Sequence, residues 1–354
     1  MTIENLARPE IRELRPYETA KQVPGLVRLN ANEAPWPADG SEDGLNRYPE
    51  IRPLRLQARL AACYGVSADM VLATRGSSEA IDLLIRTFCR PGIDSIATSP
   101  PTFAMYRVYA DIQGARTIAV PLCAEDEFSL DTAAMIAASQ PHTKLIFVCS
   151  PNNPTGALVP LARIRELADT RPNESLIVVD EAYAEYSEAP SAASLLEDCE
   201  NLVVLKTLSK AHSLAGARCG AVLASAKVIG LLNRVLAPYA LSTPVIECAL
   251  RCLQADSLQR TAGAVRRLLE ERDRVAGALR QCPEVVRVWP SHGNFLLVQF
   301  VDLESVKERL LTSRILVREL GHEAVLRNCV RISIGKPDEN DLLLAALGSI
   351  AESA

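Results

Sequence analysis

The chain has 354 residues, with 48% hydrophobic and 23% charged residues. This length allows one large domain and a smaller one, and the composition is that of an ordinary soluble globular protein. The formal net charge of −5 offers no basic surface for nucleic acid or an anionic membrane. The N-terminal segment MTIENLARPEIREL lacks a signal-peptide core, and no uninterrupted apolar run reaches membrane length. We therefore expect a cytoplasmic protein that binds neither nucleic acid nor membrane.

The ten cysteines and four histidines do not form a metal-binding pattern. The chain contains no C-x-x-C pair and no H-E-x-x-H motif, and its closest cysteines are Cys248 and Cys252. Scattered cysteines with apolar neighbours are typical of buried thiols in a reducing compartment. We expect no metal site.

Taken in chain order, residues 1–53 are polar and proline-rich with little periodicity, which favours an arm that packs on something else. From Leu54 onward, helical periodicity alternates with short β-rich runs. The helical segments are LRLQARLAACYG and SSEAIDLLIRTFCR, and the β-rich runs are SIATS, TIAVPL, KLIFVCS, SLIVVDEA and LVVLKTL. Nearly continuous apolar strands separated by helices predict a mostly parallel sheet covered on both faces.

The pattern changes after Ser225. A helical region runs from about Pro244 to Gln281, followed by the strand-like runs VVRV, FLLVQF and CVRISIG, with helices near DLESVKERLL and DENDLLLAALGSI. These segments predict a second, α+β unit. We divide the chain into 1–45 (an N-terminal arm and part of the small domain), 46–245 (a three-layer α/β large domain) and 246–354 (a smaller α+β domain).

The segment Leu202–Gly220 carries the most informative chemistry. An apolar run reads as a buried strand and breaks into Thr207, Ser209 and Lys210, with Arg218 eight residues after the lysine. A lysine in this setting can form an imine with an aldehyde cofactor, while the hydroxyls and the guanidinium hold a phosphate. Seen alone, a Ser-Lys pair is more often a solvated loop end.

Three further motifs fit such a cofactor, although each has an ordinary structural explanation. Ser77 and Ser78 open a helix whose N-terminus attracts an anion, or they simply cap it. Phe103 begins the next helix and can stack on a flat ring or fill the core. Asn153 lies in a proline-stiffened loop after a strand, where α/β proteins place ligands, and it can donate to a phenolate-like oxygen.

Asp180 ends the apolar run LIVVD, and Tyr183 comes three residues later. A carboxylate at the end of a buried strand is costly without a cationic partner, and a protonated pyridine nitrogen would be one. Tyr183 could reach a ring hydroxyl. Arg331 lies within the β-rich run CVRISIG, where it needs either solvent or a carboxylate. Helix capping for Asp180 and an edge strand for Arg331 are the alternatives.

Together these motifs resemble those of the fold type I pyridoxal-phosphate aminotransferases, nearly from end to end. SPNNPTG and TLSK…AGARCG are similar to the superfamily motifs, whereas LNANE, RYP and DEAY are similar to the narrower histidinol-phosphate aminotransferase family. The resemblance implies a pyridoxal 5'-phosphate cofactor. It implies that Lys210 forms the imine and carries protons, that Asp180 pairs with the ring nitrogen, and that Asn153 and Tyr183 contact the ring oxygen.

The resemblance also assigns the remaining contacts. It implies a homodimer with shared sites, in which the cofactor phosphate is held by Ser77, Ser78, Thr207, Ser209, Arg218 and by Tyr48 of the neighbouring subunit. Phe103 would stack on the ring at a position where the family often has tyrosine. Arg331 matches the clamp on a substrate α-carboxylate, and the other implied substrate contacts are Asn153, Tyr17, Asn32 and Tyr239. His212 departs from the family, which commonly has an aromatic residue there.

The implied reaction transfers an amino group between L-histidinol phosphate and 2-oxoglutarate, giving imidazole-acetol phosphate and glutamate, a step of histidine biosynthesis. A related aromatic amino-acid aminotransferase or a phosphothreonine decarboxylase on the same fold is the alternative, since specificity depends on few pocket contacts. A ligand-sensing regulator is a third possibility, but it would require an attached DNA-binding module.

Overall fold

A computed structural model describes residues 2–15, 20, 22–23, 25–40, 44–321 and 323–348. Its larger sheet has seven strands, namely β1 (Val71–Thr74), β2 (Ser95–Thr98), β3 (Arg116–Ala119), β4 (Thr143–Cys149), β5 (Leu176–Asp180), β6 (Leu202–Thr207) and β7 (Gly220–Ala224). Their order across the sheet is β1-β7-β6-β5-β4-β2-β3. β7 pairs antiparallel with β1 and β6, whereas the other pairings in this sheet are parallel. The mostly parallel α/β sheet predicted from the sequence is confirmed.

The strand interiors are apolar on both faces because helices cover both sides of the sheet. The helices of this region are α1 (Pro9–Glu13), α2 (Leu54–Tyr64), α3 (Gly76–Phe88), α4 (Met105–Gln113), α5 (Thr132–Ala138), α6 (Leu161–Thr170), α7 (Ala226–Val235) and α8 (Thr243–Cys252). α3, α4 and α7 pack on one face, and α2, α5, α6 and α8 pack on the other. The result is a three-layer domain.

The second sheet has four antiparallel strands in the order β10-β11-β9-β8. These strands are β8 (Val285–Val288), β9 (Phe295–Phe300), β10 (Arg318–Glu319) and β11 (Cys329–Ser333). One face packs on α9 (Ala255–Arg280), α10 (Leu303–Thr312) and α11 (Pro337–Ala346). On the other face, Leu297 and Cys329 pack with Leu122 and Phe128 of the large domain. This contact fixes the small domain beside the end of the large sheet.

The N-terminal residues differ from the expected arrangement. Residues 1–45 were expected to form an N-terminal arm and part of the small domain. Within this range, Ile3, Leu6 and Ala7 are buried in the core of the large domain beside α7. Their apolar side chains pack against the apolar face of α7. The expected boundary after residue 245 falls within α8. Among the described residues, no helix has the length and apolar character needed to cross a membrane.

Candidate active site

The carboxyl ends of β4, β5 and β6 open into a cleft. Parallel strands carry the residues after their ends to one edge of a sheet, which is where α/β proteins bind ligands. The cleft is lined by Ser77, Ser78, Phe103, Cys149, Asn153, Asp180, Ala182, Tyr183, Thr207, Ser209, Lys210 and Arg218. Ten of these positions were candidate site residues from the sequence, although they come from six separate segments of the chain.

One part of the cleft is rich in hydrogen-bond donors. α3 begins at Gly76, whose φ is +77°, and the preceding residue offers no side-chain cap to the first turn. The N–H groups of Gly76, Ser77 and Ser78 have no hydrogen-bond acceptor among the described residues, so they can attract an anion. Arg218 Nη1 donates to Ser209 Oγ at 3.2 Å, and Ser209 Oγ lies 3.0 Å from Thr207 Oγ1. A helix N-terminus, two hydroxyls and a guanidinium together suit a phosphate group.

Glycine suits position 76 because of its positive φ and because of the close approach of Arg218. A Cβ at Gly76 would lie 2.9 Å from Arg218 Nη2. Because glycine has no side chain, the guanidinium can approach the start of α3 closely, and the positive φ carries no penalty.

Asp180 is buried, with 2% of its surface exposed. Its Oδ1 accepts a hydrogen bond from the Ala182 N–H at 3.1 Å, and its Oδ2 accepts one from the Tyr106 hydroxyl at 2.8 Å. Burial raises the pKa of Asp180 to about 6, while these hydrogen bonds and Lys210 act in the opposite direction. Asp180 is thus a carboxylate beside the cleft with two neutral donors and no salt bridge among the described residues.

Lys210 follows β6 and lies solvent-accessible within the cleft, with Nζ 5.5 Å from the centre of the Tyr183 ring. Its pKa is lowered because the walls of the cleft remove water from the ammonium ion and because Arg331 and Arg218 add positive charge. Asp180 opposes this shift. A larger fraction of neutral amine at a given pH makes the lysine a better nucleophile and proton acceptor.

Arg331 projects from β11 of the small domain toward the same cleft. Its Nη1 donates to Asn153 Oδ1, and its guanidinium carbon lies 5.5 Å from the centre of the Phe295 ring. Tyr183 packs edge-on against Phe295 at 5.1 Å. Burial raises the pKa of Tyr183, and Arg331 opposes that rise. Arg331 thus brings a cation of the small domain to residues of the large-domain cleft.

Three other candidate residues lie outside the cleft of their own chain. Tyr48 stacks on Tyr239 with ring centres 4.7 Å apart, and Asn32 lines another cavity with Tyr48. The motifs LNANE and RYP meet here, because Glu33 accepts hydrogen bonds from the Tyr48 N–H at 2.8 Å and from Arg47 at 2.9 Å. Tyr17 lies outside the described residues.

Cys149, Ala182 and Tyr106 were not among the site residues predicted from the sequence. Cys149 and Ala182 line the cleft, whereas Tyr106 is buried beneath the cleft surface and contacts Asp180 there. The sequence predicted that Phe103 begins the next helix, but α4 begins at Met105, so Phe103 lies in the loop before it and Tyr106 lies in the first turn of α4. No sequence signal marked Tyr106 as a partner of Asp180. His212, noted as a departure from the family, does not line the cleft among the described residues, and burial and Lys206 lower its pKa.

Comparisons with known proteins agree with this geometry. Residues 16–347 match the family model described as aminotransferase class I and II. Histidinol-phosphate aminotransferase of Stenotrophomonas maltophilia (strain R551-3) is 45% identical over 97% of this chain and 96% of its own. The enzyme of that name from Xylella fastidiosa (strain 9a5c) is 44% identical over 99% of this chain and 97% of its own.

Similarity of fold extends to solved structures. The crystal structure of histidinol-phosphate aminotransferase from Sinorhizobium meliloti in complex with pyridoxal-5'-phosphate superimposes with a TM-score of 0.77. The superposition covers 86% of this chain and 84% of that one at 24% identity, so it supports the fold alone. The family model and the full-length relatives establish that the chain belongs to the class I and II aminotransferases, among the histidinol-phosphate aminotransferases.

Proposed function

We propose that this chain is a pyridoxal-phosphate-dependent enzyme that transfers an amino group between L-histidinol phosphate and 2-oxoglutarate, giving imidazole-acetol phosphate and glutamate. The observation that carries the proposal is a single cleft that combines Lys210, the buried carboxylate of Asp180 and the anion-binding turn at Ser77. The substrates rest on the full-length relatives at 44% and 45% identity. Those relatives favour this reaction over the aromatic aminotransferase and the phosphothreonine decarboxylase considered from the sequence.

The donor set fits pyridoxal phosphate. The free N–H groups of α3 with Ser209, Thr207 and Arg218 would hold the phosphate. Asp180 lacks a salt-bridge partner among the described residues, and a protonated ring nitrogen would supply the missing positive charge. The half-buried ring of Phe103 would cover one face of the cofactor ring. Asn153 and Tyr183 would contact the ring oxygen.

Bound pyridoxal phosphate would supply an aldehyde for the amino group and a cationic ring that withdraws electrons from the substrate Cα. The chain's own groups then do three things. Lys210 Nζ, with its lowered pKa, accepts the proton from the substrate Cα. Asp180 keeps a negative charge beside the ring nitrogen as charge develops. The Arg331 guanidinium orients the substrate, so that the Cα proton faces Lys210.

Arg331 would contact a different substrate group in each of the two half-reactions. Glutamate and 2-oxoglutarate carry an α-carboxylate, which a guanidinium binds through two parallel hydrogen bonds. Histidinol phosphate has no α-carboxylate, so in that half-reaction Arg331 would be available to the substrate phosphate. Its hydrogen bond to Asn153 Oδ1 keeps the guanidinium beside the cleft.

We also propose that the chain forms a homodimer with shared sites. Tyr48 lies outside the cleft of its own chain and is half exposed, which leaves it available to a partner. The arm that carries it also exposes large apolar side chains, with Leu29 90% and Trp36 79% exposed. Such an apolar surface is typical of a protein interface. Tyr48 would then contact the cofactor phosphate of the partner subunit, and Asn32 and Tyr239 would lie near the substrate of that subunit.

The ten free cysteines support a reducing, cytoplasmic location.

Half-reaction spectra test the proposed function. The purified protein, loaded with pyridoxal phosphate, is mixed in turn with histidinol phosphate, tyrosine and phosphothreonine. We expect fast conversion to the amino form of the cofactor with histidinol phosphate, and conversion back with 2-oxoglutarate. Borohydride reduction and peptide mapping should place the cofactor on Lys210. Faster conversion with tyrosine, decarboxylation of phosphothreonine, or an adduct on another lysine would refute the assignment.

A further inference from the structure

Tyr106 has no part in the chemistry described above, yet its hydroxyl donates a side-chain hydrogen bond to Asp180. It lies on α4 with 1% of its surface exposed, and it does not line the cleft. Its hydroxyl donates a hydrogen bond of 2.8 Å to Asp180 Oδ2. A hydrogen bond from a buried donor to a buried carboxylate is worth more than one at the surface, because no water competes for either group.

The surrounding aromatic residues fix the direction of this hydroxyl. The Tyr106 ring stacks on Phe147 of β4, with ring centres 4.7 Å apart and an angle of 14° between the planes. Its other neighbour is Phe103, which packs edge-on at 5.6 Å and 84°. A ring held on two sides can point its O–H in few directions. Phe103 and Asp180, both proposed to contact the cofactor ring, therefore pack on one side chain.

The two donors to Asp180 occupy different oxygens. The Ala182 N–H donates to Oδ1 and the Tyr106 hydroxyl donates to Oδ2, so the carboxylate is held at both oxygens. Its remaining lone pairs accept no other hydrogen bond from the described residues. The charged and titratable groups that face Asp180 are Tyr106, Cys149, Glu181, Tyr183 and Lys210. Burial raises the pKa of Tyr106 well above its usual value, with the charge of Asp180 next in importance, so the hydroxyl keeps its proton.

We propose that Tyr106 is a positioning residue, which keeps the carboxylate of Asp180 ionised and directed toward the cofactor's ring nitrogen. The inference rests on the proposed use of pyridoxal phosphate. The competing explanation is packing alone, in which Tyr106 fills space and Asp180 merely satisfies its hydroxyl. The two explanations differ in what happens when the hydroxyl is removed and the ring is kept.

The first test compares wild type with Tyr106→Phe by measuring the dissociation constant of pyridoxal phosphate from pH 5 to 9. With the pKa of Asp180 at about 6, half of the carboxylates are ionised at pH 6. Loss of the hydroxyl should raise this pKa by about one unit, which leaves roughly a tenth ionised at pH 6. We expect binding about fivefold weaker at pH 6 and nearly unchanged at pH 8.

The same titration is repeated with a cofactor analogue that has carbon in place of the ring nitrogen. The analogue cannot pair with Asp180, so Tyr106→Phe should leave its affinity unchanged at every pH. Tyr64→Phe is the matched control, because it deletes a buried hydroxyl of the same domain that has no hydrogen-bond partner among the described residues. It should leave both titrations unchanged. Equal losses for cofactor and analogue, or no loss for either, would overturn the role of Tyr106.

A double-mutant cycle tests whether Tyr106 acts through Asp180. In an Asp180→Asn background, Tyr106→Phe should cause no further loss of cofactor affinity, and a loss as large as in wild type would overturn the proposal.

If Tyr106→Phe does not fold, difluorotyrosine at position 106 keeps the shape of the side chain while strengthening its hydroxyl as a hydrogen-bond donor. The pH midpoint should then move downward, and a midpoint that stays or rises contradicts the inference. A wild-type chain that binds no pyridoxal phosphate would overturn the proposed function as well, whereas normal wild-type binding with an unaffected Tyr106→Phe would overturn this inference alone.

Discussion

Gly220 allows the turn at the start of α3, which is proposed to bind the cofactor phosphate, to lie directly on the large sheet. It begins β7 and pairs with Thr207 on one side and Thr74 on the other. A Cβ at this position would lie 2.6 Å from the backbone oxygen of Lys206 and 2.9 Å from the Cα of Gly76. Both neighbours are backbone atoms, so no change of rotamer relieves the overlap. We therefore predict that Gly220→Ala damages both the stability of the fold and the binding of the cofactor.

The size of the effect follows from the overlap. Forcing an extra methyl group into a packed core costs about 1–3 kcal/mol when side chains and backbone can shift. Here the strands on both sides must move, which puts the expected loss at the upper end, about 3 kcal/mol. The shift displaces the start of α3 and with it the N–H groups at Ser77 and Ser78. If about 1.4 kcal/mol of anion binding is lost, pyridoxal phosphate binds about tenfold more weakly.

Urea unfolding of the cofactor-free proteins measures the first effect, and titration with pyridoxal phosphate measures the second. Gly230→Ala is the matched control. Gly230 is an exposed residue within α7, and a Cβ there would meet no atom of the described part of the chain within 4 Å. The control should gain about 0.5–1 kcal/mol, because alanine loses less backbone entropy in a helix. A free energy of unfolding for Gly220→Ala within about 0.5 kcal/mol of wild type, together with normal cofactor binding, would contradict the prediction.

Three further changes have defined outcomes. Burial raises the pKa of Asp180 in the folded protein to about 6. The charge of Asp180 therefore destabilises the cofactor-free fold above that pH and not below about pH 4. Asp180→Asn should gain about 2 kcal/mol more stability at pH 7.5 than at pH 4, while its cofactor binding weakens. Equal effects at both pH values in urea unfolding would contradict this. Refolding Lys210→Ala together with Tyr48→Ala should restore roughly a quarter of wild-type activity, since half of the dimers are mixed and each has one intact site; mixed dimers with no regained activity would exclude a shared site. Arg331→Gln should raise the KM for 2-oxoglutarate by about tenfold or more through loss of a bidentate pair, and an unchanged KM would remove Arg331 from substrate binding.

Much of this protein could be predicted from local sequence. Apolar runs such as Leu176–Asp180 and Leu202–Thr207 predict buried strands, since each residue's neighbours in the chain already indicate burial on both faces. Polar residues just after those runs, including Asp180 and Lys210, then fall at one edge of the sheet by the geometry of parallel strands. Ten of the candidate residues consequently line one cleft.

Other features depend on contacts between distant parts of the chain. The run Gly220–Ala224 does not reveal that β7 lies antiparallel between β1 and β6, because strand direction is decided by pairing partners. The hydrogen bond between Tyr106 and Asp180 joins residues 74 positions apart, and the one between Arg331 and Asn153 joins residues 178 positions apart. An aromatic residue on a helix usually packs in the core, so the sequence around Tyr106 did not indicate a hydrogen bond to Asp180.

The sequence by itself therefore determined the α/β class and the identity of most residues in the cleft, because both depend on periodicity and on the residue types that come directly after each strand. Only the tertiary structure decided that Asn32 and Tyr239 lie away from the cleft of their own chain, beside Tyr48. It also decided that the absence of a side chain at Gly220 lets the start of α3 approach the sheet. The physical reason is the same in each case: these features depend on distances across the folded molecule, and residue order does not determine such distances.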